Sequence, residues 1–149
     1  MIRTLLAGAL AAAAIAFSTI SFAQGQFGTA AEAKAMLEKA VAAVKADKAK
    51  ALADFNGPGA FRDRDLYVFC SGPDGALTAH PTIKGQQIAS LVDKNGKKLG
   101  EAILAAAKEG QIAEVDYMWP RPGADTTPVK KISFVTKVGD QVCGVGYYQ

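Results

Sequence analysis

The chain's only histidine, His80, follows Cys70 by ten positions, and this pair is the first candidate for chemistry in the sequence. A thiolate can attack a carbonyl carbon when a nearby histidine accepts the thiol proton. Both residues fall in one predicted hairpin, however, where Cys70 is expected to be buried, and no oxyanion-hole motif accompanies them. The sequence also lacks the Gly-x-Ser-x-Gly motif of serine hydrolases. We therefore expect no catalytic residue and no enzymatic activity.

Metal ligands do not occur at the spacing that a metal site needs. One histidine and two widely separated cysteines give no zinc pattern. The stretch that begins at Asp93 starts like a calcium loop, but Lys97 and Lys98 occupy the positions of an oxygen ligand and a glycine. No Cys-x-x-Cys-His motif is present for covalent haem. We expect neither a metal nor a cofactor.

The first residues predict export. Arg3 supplies a positive end, an apolar stretch follows, and Ser21 and Ala23 stand where a signal peptidase needs small residues. We expect cleavage near Ala23, which makes residues 1–23 a signal peptide and residues 24–149 a periplasmic or secreted domain. The alternative is an uncleaved segment that anchors the chain in the membrane. No later run approaches the roughly 18 apolar residues of a membrane-spanning helix.

Charge and cysteine content narrow the possible partners and the redox state. The formal net charge is +3 at pH 7, and no Lys/Arg run with interleaved aromatic residues stands out, so we expect no nucleic acid partner. In an oxidising compartment two cysteines more often form a disulfide than remain free thiols. Whether Cys70 and Cys143 can meet depends on the fold.

A long N-terminal helix is the first element that must support any site. Thr29 and Glu32 have capping-box spacing, and apolar residues recur at helical intervals as far as Phe55. At ~1.5 Å per residue the helix would be about 40 Å long. A domain of this size cannot bury such a helix along its whole length, so part of it should project or pack on a partner.

The remainder predicts five antiparallel strands and a short helix. Two alternating runs between Leu66 and Pro81, the first typical of a half-buried strand, form a hairpin, and residues 82–100 are irregular. A short amphipathic helix then ends at Gly110, before three further strands, the last two joined by a tight turn at residues 139–140. One face of the third strand carries Val115, Tyr117 and Trp119. This order favours an α+β domain built on one sheet.

In this order, the elements resemble the single Cache domains that lie outside the cytoplasm in bacterial chemoreceptors and sensor kinases. The resemblance covers Ala30 to Tyr148. It is carried by "DLYVFCSGPDGALTAHP", "GQQIASLVDKNGKKLGEAI", "VDYMWPRPG", "VKKISFV" and "VCGVGYY". It implies a PAS-like α+β fold, with a long N-terminal helix packed on a five-stranded antiparallel sheet. It also implies a small-ligand pocket between the sheet and the segment that joins the second and third strands.

The resemblance also places the first and last of these strands side by side. Cys70 and Cys143 could then approach within the Cα separation of about 4.4 to 6.8 Å that a disulfide requires. A disulfide is our expectation for this pair, and two buried thiols that act as small apolar side chains are the alternative.

Members of this family often bind small carboxylates or amino acids, and the candidate site follows from that resemblance. The candidate ligand-binding residues are Tyr67, His80, Tyr117, Trp119, Arg121 and Lys131. Lys131 or Arg121 could pair with a carboxylate, and Tyr117 and His80 could donate hydrogen bonds. Lys130 and Lys131 point to opposite faces of a strand, so at most one faces the pocket, and we choose Lys131.

Each candidate also has a structural alternative. Tyr67, Tyr117 and Trp119 could fill the core instead of lining a pocket, because aromatic residues at alternating strand positions normally do so. His80, next to Pro81, could be a turn residue whose hydrogen bonds are satisfied locally.

The expected function is therefore binding of a small ligand by an exported Cache domain. Because the sequence stops one residue after the last predicted strand, we expect no signalling output of its own. A membrane receptor or sensor kinase is a possible partner. The alternative is a structural or protein-interaction module that kept the fold without a working pocket and forms a homodimer through the long helix.

Overall fold

The structure is a computed structural model that describes residues 25–149, so the predicted signal peptide lies outside the described residues. The helices are α1 (Ala30–Ala46), α2 (Lys48–Asn56) and α3 (Leu99–Ala106), with a 3-10 turn at Ile88–Ser90. The strands are β1 (Arg62–Asp63), β2 (Leu66–Ser71), β3 (Leu77–Ala79), β4 (Ala113–Pro120), β5 (Pro128–Val138) and β6 (Gln141–Tyr148). No helix among these is long and apolar enough to cross a membrane.

The predicted capping box opens α1, but the predicted single long helix is wrong. The Thr29 hydroxyl accepts the Glu32 N–H at 3.3 Å, and the Glu32 carboxylate accepts the Thr29 N–H at 2.8 Å. At Asp47 the backbone is extended, with φ −158° and ψ 98°, and the Asp47 carboxylate accepts the Lys50 N–H at 3.0 Å. Aspartate competes with the helical backbone for hydrogen bonds and favours caps. It therefore ends α1 and begins α2, which turns Phe55 into the core.

The sheet is antiparallel throughout and has the order β1-β2-β6-β5-β4. The short β3 also pairs with β2, at Cys70 and Ser71. It has six strands rather than the predicted five, because the two-residue β1 pairs with the start of β2. The turn between β5 and β6 is at Gly139 and Asp140, as predicted, and Gly139 has a φ of 59°.

Two layers cover the sheet, one on each face. On β2, Leu66, Val68 and Cys70 pack into the core beneath α1 and α2. Tyr67 and Phe69 pack into a second core with α3 and the 3-10 turn. The whole of β2 is therefore buried, not half-buried as the alternation predicted, since apolar layers lie against both of its faces.

A disulfide joins β2 to β6. Cys70 and Cys143 lie directly opposite each other in the sheet, with their Cα atoms 4.1 Å apart and 73 positions apart in the sequence. In the chain-entropy model a loop of this length stabilises the fold by about 4 kcal/mol. Cys70 therefore has no thiol to act as a nucleophile with His80.

The irregular segment before α3 is held against the sheet by Asp93. Its carboxylate accepts the N–H groups of Asn95 and Lys97 within the loop, at 2.8 and 2.9 Å, and that of Met118 on β4 at 3.0 Å. These bonds, the Met118 bond first, lower the pKa of Asp93. The loop is thereby fixed over the face of the sheet that carries the candidate site.

The short helix α3 ends before the predicted Gly110. Beyond Ala106 the chain turns to pair with β5, where the Lys137 N–H donates to the carbonyl of Lys108 at 3.3 Å. This pairing with the sheet takes the place of a further helical turn.

Candidate functional site

Four of the predicted site residues form an aromatic cluster on the sheet face opposite α1. The ring centroids of Tyr67 and His80 are 5.2 Å apart, and those of His80 and Trp119 are 6.3 Å apart. Tyr117 lies 6.2 Å from Trp119. All three contacts are edge-to-face, the arrangement that the ring quadrupoles favour.

The cluster surrounds a small inner cavity of about 20 Å³. Its lining consists of Tyr67, Phe69, Leu77, His80, Ile88, Leu91, Leu99, Ile103, Tyr117 and Trp119. A volume of this size holds about one water molecule. The aromatic side chains therefore fill most of the space between the sheet and α3.

A larger outer cleft of about 360 Å³ opens beside the inner cavity. Tyr67, His80 and Trp119 line both spaces, so they form the boundary between them. The rest of the cleft is lined by Pro81, Thr82, Ile83, Pro120, Arg121, Pro122, Gly123 and Thr126. Small-molecule sites are typically roughly 300–1,000 Å³ and mostly apolar, with a few polar groups, and the cleft fits that description.

His80 is both a turn residue and part of the cleft wall. Its Nδ1 accepts the N–H groups of Thr82 at 3.1 Å and Ile83 at 3.3 Å. The proton of the neutral ring therefore resides on Nε2, for which residues 25–149 supply no hydrogen-bond partner. Burial, together with the positive charges of Lys131 and Arg62, lowers the pKa of His80 to about 3. At neutral pH His80 can offer the cleft one N–H donor.

Lys131 is buried behind Tyr67. It is 1% exposed, and its Nζ donates a hydrogen bond to the Tyr67 hydroxyl at 2.8 Å. Burial lowers the pKa of Lys131 to about 7, an effect that the charge of Asp65 partly opposes. Lys131 lines neither the inner cavity nor the outer cleft, whereas Tyr67 lines both. As strand alternation predicts, the adjacent Lys130 is on the other face, where it is exposed.

Arg121 reaches the cleft from the loop after β4 and is held by Asp65. Its Nε lies 3.4 Å from the Asp65 carboxylate, which also accepts the Gly28 N–H at 2.7 Å. The guanidinium lies 4.2 Å from the centre of the Phe27 ring and 5.1 Å from that of Tyr148. Arg121 thus joins the N-terminal segment to the edge of the cleft.

Ser133 and Gly146 belong to the site although neither was a sequence candidate. The Ser133 hydroxyl is 2.8 Å from the Tyr117 hydroxyl. A Cβ atom at Gly146 would collide with Cε of Lys131 and Oγ of Ser133, so this glycine makes the space in which both side chains lie. The one available signal was the Gly-x-Gly alternation in the last strand, because strand glycines often mark a close approach.

Comparison with known proteins identifies relatives among chemoreceptors. The family model described as single Cache domain 2 matches residues 10–148. Methyl-accepting chemotaxis protein McpP of Pseudomonas putida is 30% identical over 91 residues, which are 58% of this chain and 16% of that protein. The chain therefore matches only a small part of this relative's length.

Three solved structures are similar in fold. A methyl-accepting chemotaxis protein from Vibrio parahaemolyticus is 23% identical with a TM-score of 0.65, over 79% of this chain and 86% of that one. A periplasmic sensor domain of a chemotaxis protein is 28% identical with a TM-score of 0.60, over 77% and 86%.

The third structure, which describes carboxylic acid recognition by a Cache chemosensory domain, is 25% identical with a TM-score of 0.59, over 77% and 84%. The predicted α+β, PAS-like fold is confirmed by these similarities and by the sheet described above. The chain belongs to the single Cache domain family, whose members among these neighbours are extracytoplasmic sensor domains of chemoreceptors.

Proposed function

We propose that this Cache domain is exported and binds a small organic acid or amino acid in the outer cleft. The observation that carries the proposal is that three residues able to donate hydrogen bonds line one mostly apolar space. They are His80, Tyr67 and Arg121. A carboxylate accepts such donors, and bonds to a charged group such as arginine are the strongest of them.

Similarity to other Cache domains supports the same ligand class. One structural neighbour recognises carboxylic acids, and the relative from Pseudomonas putida is a chemotaxis protein. On this proposal the chain senses its ligand rather than transforming it. Its occupancy would be read by a membrane receptor or sensor kinase.

The second candidate is an interaction module without a working pocket. It is favoured by the small inner cavity, which Tyr117 and Trp119 help to fill. Such a module would dimerise through α1. The two candidates differ in whether the outer cleft takes up a small molecule.

Thermal unfolding of the purified protein against a panel of small carboxylates, amino acids and amines tests the proposal. Binding to the native state alone stabilises it by about 2.7 kcal/mol at a hundredfold excess over Kd, which raises the midpoint by several degrees. Arg121→Gln should reduce the shift, whereas Lys130→Gln, on the opposite face of the sheet, should preserve it. A flat panel with a well-folded protein would favour the interaction module.

A further inference from the structure

Lys131 is a buried amine that has no carboxylate partner in the part of the chain that the structure describes. It takes part in none of the ion pairs formed within residues 25–149, and its only hydrogen bond there is to the neutral Tyr67 hydroxyl. Its Nζ lies 4.0 Å from the centre of the Tyr67 ring and 4.9 Å from that of Tyr148. Aromatic faces attract an ammonium weakly compared with a buried carboxylate.

The sheet register places other groups around this amine. Tyr117 on β4 and Tyr148 on β6 are its direct cross-strand neighbours. The titratable and charged groups on the surrounding elements are Tyr67, Tyr117, Tyr148, His80, Arg62, Arg121 and Asp65. Asp65 is the one carboxylate among them, and it is already bonded to Gly28 and Arg121. Within residues 25–149, the surroundings of Lys131 therefore lack a free negative charge.

The Tyr67 hydroxyl connects Lys131 to the cleft. Its oxygen accepts a hydrogen bond from Lys131 Nζ, so its own proton can be donated to another acceptor, either the neighbouring Tyr148 hydroxyl or a ligand in the cleft whose wall Tyr67 lines. An ammonium at Lys131 polarises this hydroxyl more strongly than a neutral amine does, since hydrogen bonds from charged donors are stronger.

From this arrangement, and on the basis of the function proposed above, we propose that binding of a carboxylate in the outer cleft is coupled to uptake of one proton by Lys131. The proton comes from the solvent and converts the amine to an ammonium. Tyr67 passes the effect of this charge to the bound anion, so Lys131 is a positioning residue that does not itself touch the ligand.

Thermodynamic linkage fixes the direction in which pH changes the affinity for a carboxylate. An opposite charge nearby favours the charged form of an amine, so a bound carboxylate raises the pKa of Lys131 from its ligand-free value of about 7. By reciprocity, protonation of Lys131 must tighten carboxylate binding. The affinity should be nearly constant below pH 7 and fall by up to about tenfold per pH unit above it. The His80 ring, whose pKa is about 3, remains neutral across this range.

Isothermal titration calorimetry with acetate, propionate and lactate tests the coupling. The purified protein is titrated at about pH 8 in Hepes and in Tris of equal chloride concentration. The difference in binding enthalpy between the two buffers gives the number of protons taken up on binding. We expect clear uptake of up to one proton per carboxylate at that pH and a value near zero at about pH 6. Acetamide, a neutral isostere of acetate, should cause no proton uptake by the protein.

Variants distinguish the contribution of Lys131 to proton uptake from that of other residues. Lys131→Met should abolish proton uptake, and Lys130→Met, the neighbouring exposed lysine, should retain it. Tyr67→Phe should weaken binding, and adding it to Lys131→Met should cost less than the two single effects summed, because the two residues act through one contact.

Binding without proton uptake in the unmodified protein, or equal uptake in Lys131→Met, would overturn the inference while leaving the proposed function intact. If Lys131→Met does not fold, an affinity for acetate that is constant from about pH 6 to 9 would overturn it. A protein that binds none of the three carboxylates would overturn the proposed function and the inference with it.

Discussion

Tyr67 is the residue at which the inner cavity, the outer cleft and Lys131 meet. Burial raises the pKa of its phenol well above the usual range, so the hydroxyl remains a proton donor under physiological conditions. Its oxygen is fixed by the Lys131 amine and its ring by His80 at 5.2 Å. A donor held in this way loses little entropy when a ligand binds.

The buried Lys131 should make the stability of the ligand-free protein depend on pH. Its pKa is about 7 in the folded protein and near the ordinary 10.5 when unfolded, so between these values the unfolded chain binds more protons. The free energy of unfolding should therefore rise from pH 7 to pH 9. Urea unfolding should show this rise in the unmodified protein and in Lys130→Met but not in Lys131→Met. An equal rise in Lys131→Met would assign it to other groups.

His80→Asn separates the two roles of His80. Asparagine can place an oxygen near the position of Nδ1, which keeps an acceptor for the Thr82 and Ile83 N–H groups, but it lacks the Nε2–H group. We expect weaker carboxylate binding and near-normal stability at neutral pH. The loss of stability between pH 6.5 and pH 3 should also be shallower, because the unfolded chain no longer gains a histidine proton that the folded one resists. Unchanged affinity would remove His80 from the site.

Strand alternation was enough to predict which residues share a face but not what they contact. It separated Lys131 from Lys130 and grouped Tyr117 with Trp119. It could not predict the roles of Asp65, whose partners include the amide of Gly28, 37 positions away. Contacts of this kind depend on how distant segments pack, which a local pattern does not contain.

Among the elements, β6 shapes the site through two positions that have no side chain. Gly144 and Gly146 lie on the site face of this strand, where Cβ atoms would collide with Phe69 and with Lys131 and Ser133. Glycine within a strand costs conformational entropy on folding, and here that cost is offset by the large side chains that the neighbouring strands can pack across β6.

Gly146→Ala should therefore damage the site from a distance. We expect a loss of about 1–3 kcal/mol from overpacking. Weaker carboxylate binding should accompany it, because Lys131 must move away from Tyr67. Urea unfolding and calorimetry measure the two effects. Gly57→Ala is a suitable control, since its added Cβ would make only ordinary contacts at 3.6 Å or more. Equal stability and affinity for Gly146→Ala would contradict the close approach at this position.

The first helix shows where periodicity misleads. The apolar spacing continues across Asp47, so the sequence predicted one helix, yet the chain leaves the helical conformation there. A second helix allows Ala51 and Phe55 to bury against the sheet. Tertiary packing and a good capping residue, Asp47, outweighed continuation of the helix. Little in the sequence indicated this break, because the residue three positions after Asp47 is Lys50 and not the Glu or Gln of a capping box.

At the scale of the whole molecule, the order of elements was sufficient to predict the α+β fold and the family. The disulfide fastens β2 to β6 on the helix side, directly behind strands that carry Tyr67 and Gly146 on the other face. The cleft lies at the edge of this scaffold, and part of its rim is the loop after β4.

Export is a prediction at this scale. If residues 1–23 are a signal peptide, the protein recovered from the periplasm of a bacterial host should begin at Gln24. Intact-mass measurement distinguishes this product from the uncleaved chain. A membrane-bound protein that retains Met1 would support the anchor alternative.

The most direct test of the central claim uses the fact that the chain has one tryptophan and one histidine, both in the cleft wall. The indole N–H signal of Trp119 and the ring signals of His80 in nuclear magnetic resonance spectra therefore need no further assignment. Titration with acetate, propionate and lactate should move both sets of signals saturably with a single Kd, while acetamide should have little effect. Signals that do not move, or shifts that grow without saturation, would contradict carboxylate binding in the outer cleft.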